Sequence, residues 1–496
     1  MFNDLFNVQA GQMSSAALDS AQAEELAKTM TIGHANGLNA PGNLVGGAAL
    51  QMESIDGTLK SVTYDASHLV LWPSIPQDRA YSLVEQYVKT NSYGDAGSVF
   101  VPEAGSPAMN DSDYNRANQK VVFMATRRGV SLPSTLVRMN FGGDIEGREA
   151  QAGTLWMLER LERAMYKSHA DFLDASGEYT SNIASIPSKI QNLELAGMEH
   201  QIITGQSDFT NQIRAFEGYG ASSSVVSDLR GEVIDEGSIE DLANILVENL
   251  AHPSDLHMQP KNLSDFIKQF YPKERVNVMG VLDGRAGYVV KTMSTTAGDI
   301  GLKANVFLRP KQTPKQQNDR EGVPSAPASV AVAAQAAAGS NLAANDKYVY
   351  VVTACNEQGE GASVAQSAQS TVAADGDGVK LTIASPAGGK TPTHYAIYRT
   401  SKAGSGTPQF IGYIKRAGAT TTFIDLGRKV QGAATAYLLD MNADILVWKQ
   451  LAPLTRVNLA QLSLSKEFIL WLAGCLIVFK PRALGMFQNI AQAPHA

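Results

Sequence analysis

Apolar residues recur along this chain at two different periods, and the changes between them mark out its elements. Ser98–Glu103 (SVFVPE) and Lys120–Arg128 (KVVFMATRR) are rich in β-branched and aromatic residues and read as strands. Between them Ala104–Asn118 is dense in Gly, Pro, Asn, Asp and Ser, with few large apolar groups, so the pair predicts a long β-hairpin with an extended tip. From Arg148 to Leu173 the period becomes helical. Leu155, Leu158, Leu161, Met165 and Phe172 form one stripe, and Glu159 and Arg163 make an i,i+4 pair on the opposite side. At about seven turns this helix is long for a globular protein, and something elongated must pack along it.

Residues 207–310 mix the two periods. A helix is predicted from Ser238 as cap with Asp241 three residues on, burying Ile239, Leu242, Ile245, Leu246 and Leu250, and another from Ser264 to Pro272. Strands follow at Tyr288–Thr292 and Leu302–Leu308. A polar, Pro-punctuated stretch, Arg309–Gly322, then reads as a linker. Beyond it come short strands at Tyr348–Ala354, Val379–Ile383, His394–Arg399, Phe410–Ile414 and Thr421–Asp425, spaced as in a β-sandwich. Mixed character returns after Gly432 with strands at Ile445–Leu451, Val457–Leu462 and Phe468–Phe479, the last read as a buried strand pair turning at Gly474. Because these resume a pattern broken at Arg309, the all-β module is expected as an insertion at an exposed loop.

Composition narrows the function. At 496 residues the chain is long enough for several domains, and 44% apolar with 18% charged residues is globular usage. The first 60 residues, rich in Ala, Gly, Ser and Asn, are expected as an arm that cannot build a core alone. A net charge of −7 argues against a broad nucleic-acid-binding patch, so contact with DNA is expected to be incidental. Within that total, 322–432 carries nine Lys/Arg against six Asp/Glu, so the insertion differs in charge from the acidic remainder. Two cysteines, Cys355 and Cys475, suggest a reducing compartment and exclude a disulfide framework. No apolar h-region accompanies the first basic residue, Lys28, and the strongest apolar run is well short of the roughly 20 residues that span a bilayer, so neither export nor a membrane is expected.

Motifs for catalysis fail on inspection. Gly389-Lys390-Thr391 resembles the end of a phosphate-binding loop, but Ala384 stands where its first Gly is needed and a strand follows. Asp375-Gly376-Asp377-Gly378 lacks the further ligands of a calcium loop and reads as a turn. The eight histidines include no HExxH, and His252 and His257 have no third ligand near in sequence. No enzyme, cofactor or metal is expected. Trp156, on the long helix, reads as a core residue.

The order of arm, long hairpin, long helix, α/β region and terminal strands resembles the major capsid proteins of tailed phages with the Hong Kong 97-type fold. The residues that carry the likeness are Tyr93–Val130 (YGDAGSVFVPEAGSPAMNDSDYNRANQKVVFMATRRGV), similar to that family's extended loop, and Leu451–Ile490, where LAPLTRVNLAQ and GCLIVFKPRALGMFQNI resemble its returning strands. Val323–Asp425 separately resembles an immunoglobulin-like or fibronectin-type module, through VPSAP, YVYVVTACNEQGEGAS, HYAIYR and TTFID.

The resemblance implies an α+β fold with an N-terminal arm at 1–60, a connection at 61–93, the extended loop at 94–128 and a peripheral domain with the spine helix at 129–206. An axial domain at 207–321, the insertion at 322–432, and returns through the axial domain at 433–465 and the peripheral domain at 466–496 complete it. It implies a subunit that forms hexamers and pentamers of an icosahedral head enclosing double-stranded DNA without sequence-specific binding. Portal, scaffolding, decoration or cement proteins would be its partners, the virion its place and the host cytoplasm its site of assembly. Glu103, Asp111, Asp113, Arg116, Arg127 and Arg128 are the candidate inter-subunit contacts, with the two arginines free to meet carboxylates of a neighbour's hairpin tip. A nanocompartment shell protein of encapsulin type, or a secreted carbohydrate-binding adhesin or enzyme, are the alternatives.

Overall fold

The computed structural model describes residues 63 and 65–491, apart from 95–99, 107–108, 110, 137–143, 168–194, 203–224, 275–290, 309–322, 337–339, 357–358, 389, 428, 431 and 462. The expected arm and linker, and Gly389, lie outside the described residues. The class is α+β, as expected.

Its central element is the strand Ser465–Val478, third in a four-stranded sheet of order Gln77–Arg79, Leu446–Asn458, Ser465–Val478, Val122–Ser131. Side chains alternate faces along a strand, and here both faces are buried. Phe468, Leu470, Leu472, Leu476 and Val478 join the main core together with Met157, Leu161 and Met165 of the long helix. Ala473, Cys475 and Ile477 join Ala80, Val121 and Val447 in a second cluster on the other face. A strand covered on both sides reads as an unbroken apolar run, which explains the stretch from Phe468. Gly474 is no turn: it sits mid-strand, where a Cβ would come within 2.4 Å of the Trp448 ring. Ile445–Leu451 lies, but for its first residue, in one longer strand, Leu446–Asn458, which has register shifts between Gln450 and Thr455, and of the expected strand Val457–Leu462 only Val457 and Asn458 belong to it.

The long helix is Ile145–Lys167, with Glu146 in its first turn and Lys167 in its last, favourable for the helix dipole. The stripe it buries is Met157, Leu161 and Met165 together with the polar Glu159, Glu162 and Tyr166. The Glu159–Arg163 pair forms at 2.6 Å, but with the Glu159 carboxylate buried instead of on the solvent face. Trp156 is exposed, against expectation, because it falls one residue outside the buried stripe.

A six-stranded mixed sheet adjoins this layer, in the order Val226–Asp228, Gly485–Ile490, Ala434–Leu439, Asp255–Met258, Gly298–Ala304, Thr292–Thr295. Gly485–Ile490 therefore pairs with Ala434–Leu439 and does not sit with the strand before it, so the expected division at residue 465 is not a division between sheets. The helix Glu236–Glu248 covers this sheet with Ile239, Leu242 and Leu246, close enough that a Cβ on Gly485 would meet Leu242 at 2.9 Å. Its N-cap is Asp235, which makes a reciprocal capping box with Ser238, and Leu250, beyond its end at positive φ, is exposed. The next helix runs Pro260–Glu274, starting at a proline already suited to the first turn and passing through Pro272.

Between these strands in sequence stand two more sheets. Gly359–Gln366, Tyr350–Asn356, His394–Arg399 and Gln409–Lys415 form one; Thr420–Asp425, Asp377–Ala384 and Ser329–Ala336 form the other. They share a separate core that includes Tyr350, Val352, Leu381, Tyr395 and Ile397. Inside it Arg399 and Asp425 pair at 2.6 Å, both buried, with the Tyr350 hydroxyl donating to the same carboxylate at 2.9 Å. Asp375–Gly378 is a turn leading into Asp377–Ala384, with Gly376 at φ 85°.

One polar cluster ties the layers together. Glu162, fully buried on the long helix, accepts from the backbone N–H groups of Val70, Leu71 and Trp72 at 3.1, 2.7 and 2.9 Å and from Asn305 Nδ2 at 2.8 Å. Asn305 also donates to the Tyr166 hydroxyl at 3.2 Å, and that hydroxyl lies 2.5 Å from Nδ1 of the buried His257. Burial, reinforced by the Glu162 charge, raises the Tyr166 phenol well above its ordinary value. Burial, together with Lys303, lowers His257 to about 3, so its ring is neutral.

Replacing Glu162 by Ala strands three backbone donors in the core, and a loss of about 3 kcal/mol in the denaturant unfolding of the soluble subunit is expected. An unchanged midpoint would show the carboxylate to be dispensable. His257 gives a pH signature. Because its folded pKa is depressed, the unfolded chain takes the proton first, so the stability from the neutral ring is complete above about pH 6.5 and is lost as pH falls towards about 3. Unfolding measured across that window should show a slope of at most about 1.4 kcal/mol per pH unit that His257→Gln removes.

Candidate assembly surface

Many of the exposed large apolar side chains among the described residues lie on the hairpin. Its strands are Val84–Ser92 and Asp113–Lys120, antiparallel with Val84 opposite Lys120 and Thr90 opposite Tyr114. This corrects the expected first arm: Phe100–Glu103 is a loop, with Gly105 N–H donating to Pro102 O in a tight turn. It also moves the second arm. The chain leaves the hairpin at Val121, and Val122–Ser131 is the edge strand of the four-stranded sheet. The glycines and prolines around Phe100–Val101 favour a turn over a ladder, whereas Val84–Ser92 offers Val84, Tyr87, Val88 and Thr90 for a strand.

The base of the hairpin is anchored. Glu85 is buried, accepts from the Tyr81 and Ser82 N–H groups at 2.7 and 3.0 Å, and faces Lys449 Nζ at 3.5 Å. The Tyr87 ring meets Phe479 edge-on with centroids 5.0 Å apart. Farther out the strands are a two-stranded ribbon with both faces open, and the exposed residues include large apolar ones: Val88, Tyr114, Tyr93 (90% exposed), Phe100 (92%) and Met109 (90%). Only Met109 and Tyr114 of these fall within the tip at 104–118, where few large apolar groups are expected; Val88, Tyr93 and Phe100 lie before it.

The six candidate contacts do not converge on one site. Glu103, Asp111, Asp113 and Arg116 are all exposed on the hairpin, Arg116 opposite Val88. Arg127 and Arg128 lie in the four-stranded sheet, opposite Ile469 and Phe468, and are engaged within their own chain. Arg127 pairs with Glu467. Arg128 reaches Glu149 at 3.6 Å and lies over the Trp156 ring at 6.0 Å. Within the single chain, carboxylates of the adjacent strand and helix partner both arginines.

Chemistry of other kinds is not gathered in the described part of the chain. Among the described residues no three His, Cys, Asp or Glu side chains cluster as metal ligands would. Cys355 and Cys475 are buried thiols outside any disulfide, and burial pushes the Cys475 thiol up to about 12. No described helix is long and apolar enough to cross a membrane.

No family model matches the sequence. Among solved structures, the chain resembles the capsid of a native GTA particle (10% identity, 92% of this chain and 100% of that one, TM-score 0.43). It also resembles the capsid of Myoviridae phage XM1 (6%, 90% and 99%, TM-score 0.41) and the SrpI encapsulin complex of Synechococcus elongatus (9%, 93% and 99%, TM-score 0.39). In sequence it is 22% identical over 484 residues to a protein of Enterococcus phage phiEF24C named "Putative major capsid protein", covering 94% of this chain and 95% of that one. That similarity runs across nearly the whole of both sequences.

Proposed function

We propose that the chain is the repeating subunit of a bacteriophage head, a major capsid protein of the Hong Kong 97 type. Copies of it associate as hexamers and pentamers into an icosahedral shell around the genome. The observation that carries this reading is the hairpin. A two-stranded ribbon is marginally stable in water, and this one exposes Val88, Tyr93, Phe100, Met109 and Tyr114 together. Such a ribbon gains its apolar burial on another copy, where the cost of ordering it is recovered. The relative's printed name supports the same reading over 94% of the chain. The role is structural and asks for no catalysis. Portal, scaffolding and decoration or cement proteins are the further partners it brings, with assembly in the host cytoplasm and the virion as destination.

Within that reading, 322–432 is an immunoglobulin-like insertion that folds alone and projects from the outer face of the shell. Its separate core supports independent folding. A packed genome leaves little room inside for a bulky module on every subunit, which supports the outer position.

Excising 95–112 and joining the strands by a short turn should leave the subunit folded while abolishing stable shells. Electron microscopy and light scattering of parent and variant test it. Shells from the variant that match the parent's, or a parent that stays monomeric at high concentration with its assembly factors present, would overturn the reading. A fragment of residues 322–432 should unfold cooperatively, and an antibody raised against it should label intact particles. Labelling that appears only after particles are broken open would place the module inside.

A further inference from the structure

The solvent face of the long helix carries a regular pattern of its own. Arg148, Ala152, Trp156, Arg160 and Arg163 follow one another at spacings of four, four, four and three, and all are exposed. Arg160 lies over the Trp156 ring at 5.6 Å and Arg128, from the neighbouring strand, over it at 6.0 Å. The indole therefore holds two guanidinium groups. Glu159, buried beneath, accepts from Arg163 Nε at 2.6 Å and faces Arg160 Nε at 3.7 Å, which positions both side chains through one nitrogen and leaves other N–H groups of each fork for an outside acceptor. Arg127, Arg128, Arg148, Arg160 and Arg163 stand here with Glu149, Glu159, Glu467 and, four residues before Arg148, Asp144, a small excess of cations in a chain whose net charge is −7.

We propose that this stripe, with Arg148, Trp156, Arg160, Arg163 and Arg128 as its contacts, binds the phosphate backbone of double-stranded nucleic acid without reading sequence. From Arg148 to Arg163 the helix rises about 22 Å, a length over which a duplex presents on the order of a dozen phosphate charges. A row of prepositioned guanidinium forks matches that ligand. The rival occupant is the hairpin tip of a second copy, with Glu103, Asp111 and Asp113. It fits less well, because the exposed neighbours of those carboxylates include Tyr93, Phe100, Met109 and Tyr114, for which the stripe offers only Trp156. The proposal rests on the shell reading for the source of the nucleic acid, a genome held against one wall.

The test is fluorescence anisotropy of a labelled mixed-sequence DNA duplex with the full-length soluble subunit, over a range of salt. The logarithm of affinity should fall against the logarithm of salt with a slope of about −3, as for three or four phosphates. The triple variant Arg148→Gln, Arg160→Gln, Arg163→Gln should bind at least about tenfold more weakly and show a flatter slope. The corresponding triple Lys variant should keep most of the binding. Duplex should also quench a tryptophan signal that Trp156→Phe removes.

Because losing both Arg160 and Arg163 leaves buried Glu159 without cations, Arg148→Gln alone provides the control for misfolding, and its slope should be shallower by about one. Absence of binding at low salt, or affinity unchanged in a folded triple variant, would overturn the proposal. So would a variant that fails to form shells yet binds duplex normally, since the face would then belong to contacts between copies. Duplex binding by a parent chain that never forms shells would refute the shell reading and leave this surface standing.

Discussion

The strand Ser465–Val478 constrains nearly everything else, because it must be covered on both faces. Its even-numbered residues from Phe468 to Val478 need the long helix, and its odd-numbered ones from Ala473 to Ile477 need Ala80, Val121 and the segment that leads into the hairpin. At about 1.5–3 kcal/mol for each fully buried large side chain, neither cover is dispensable. Both the helix and the hairpin base are thereby fixed to one rigid support. The hairpin leaves that support from an anchored root, with Glu85 and Tyr87 held against Lys449 and Phe479, while its distal residues stay open. A rigid root with an apolar, unburied end is the geometry on which the proposed contact between copies rests.

Glu162 adds a second constraint of a different kind. An apolar side chain there would bury as well but could not collect three consecutive N–H groups from Val70 to Trp72. Since buried donors must be satisfied, the carboxylate fixes where the chain enters the fold, one short segment before the hairpin. Through Asn305, Tyr166 and His257 the same cluster reaches the six-stranded sheet. Entry segment, long helix and mixed sheet are thus held by one polar network inside an otherwise apolar core.

The sequence made legible those elements whose period matched a single environment. His394–Arg399 forms over the residues expected of it, and the long helix is recognisable from its stripe although its start lies three residues earlier. Misreadings arose where two environments overlapped. Gly474 looked like a turn because a glycine interrupted an apolar run, yet the space its missing side chain leaves is filled by Trp448, which no local pattern reveals. Asp235 was overlooked as a cap because Ser238, the other half of its capping box, carries the same signal. At the assembly surface, the turn-rich composition drew attention to charges at the tip. The strand that pairs with Asp113–Lys120 lay upstream in Val84–Ser92, where only register could identify it.

Net charge was the coarsest of these signals, since a sum over 496 residues is blind to where charges lie. The 23-residue helix shows why position matters more. Its buried stripe fixes its rotation, and that rotation brings Arg148, Trp156, Arg160 and Arg163 to the surface together. A helix that contacts the core along its whole length must also present its opposite face along its whole length. The same packing that makes the helix a spine for the subunit therefore makes its outer face a straight, regularly spaced row. In a closed shell each copy would repeat that row in a fixed orientation, so contacts too weak to matter singly would add over many subunits.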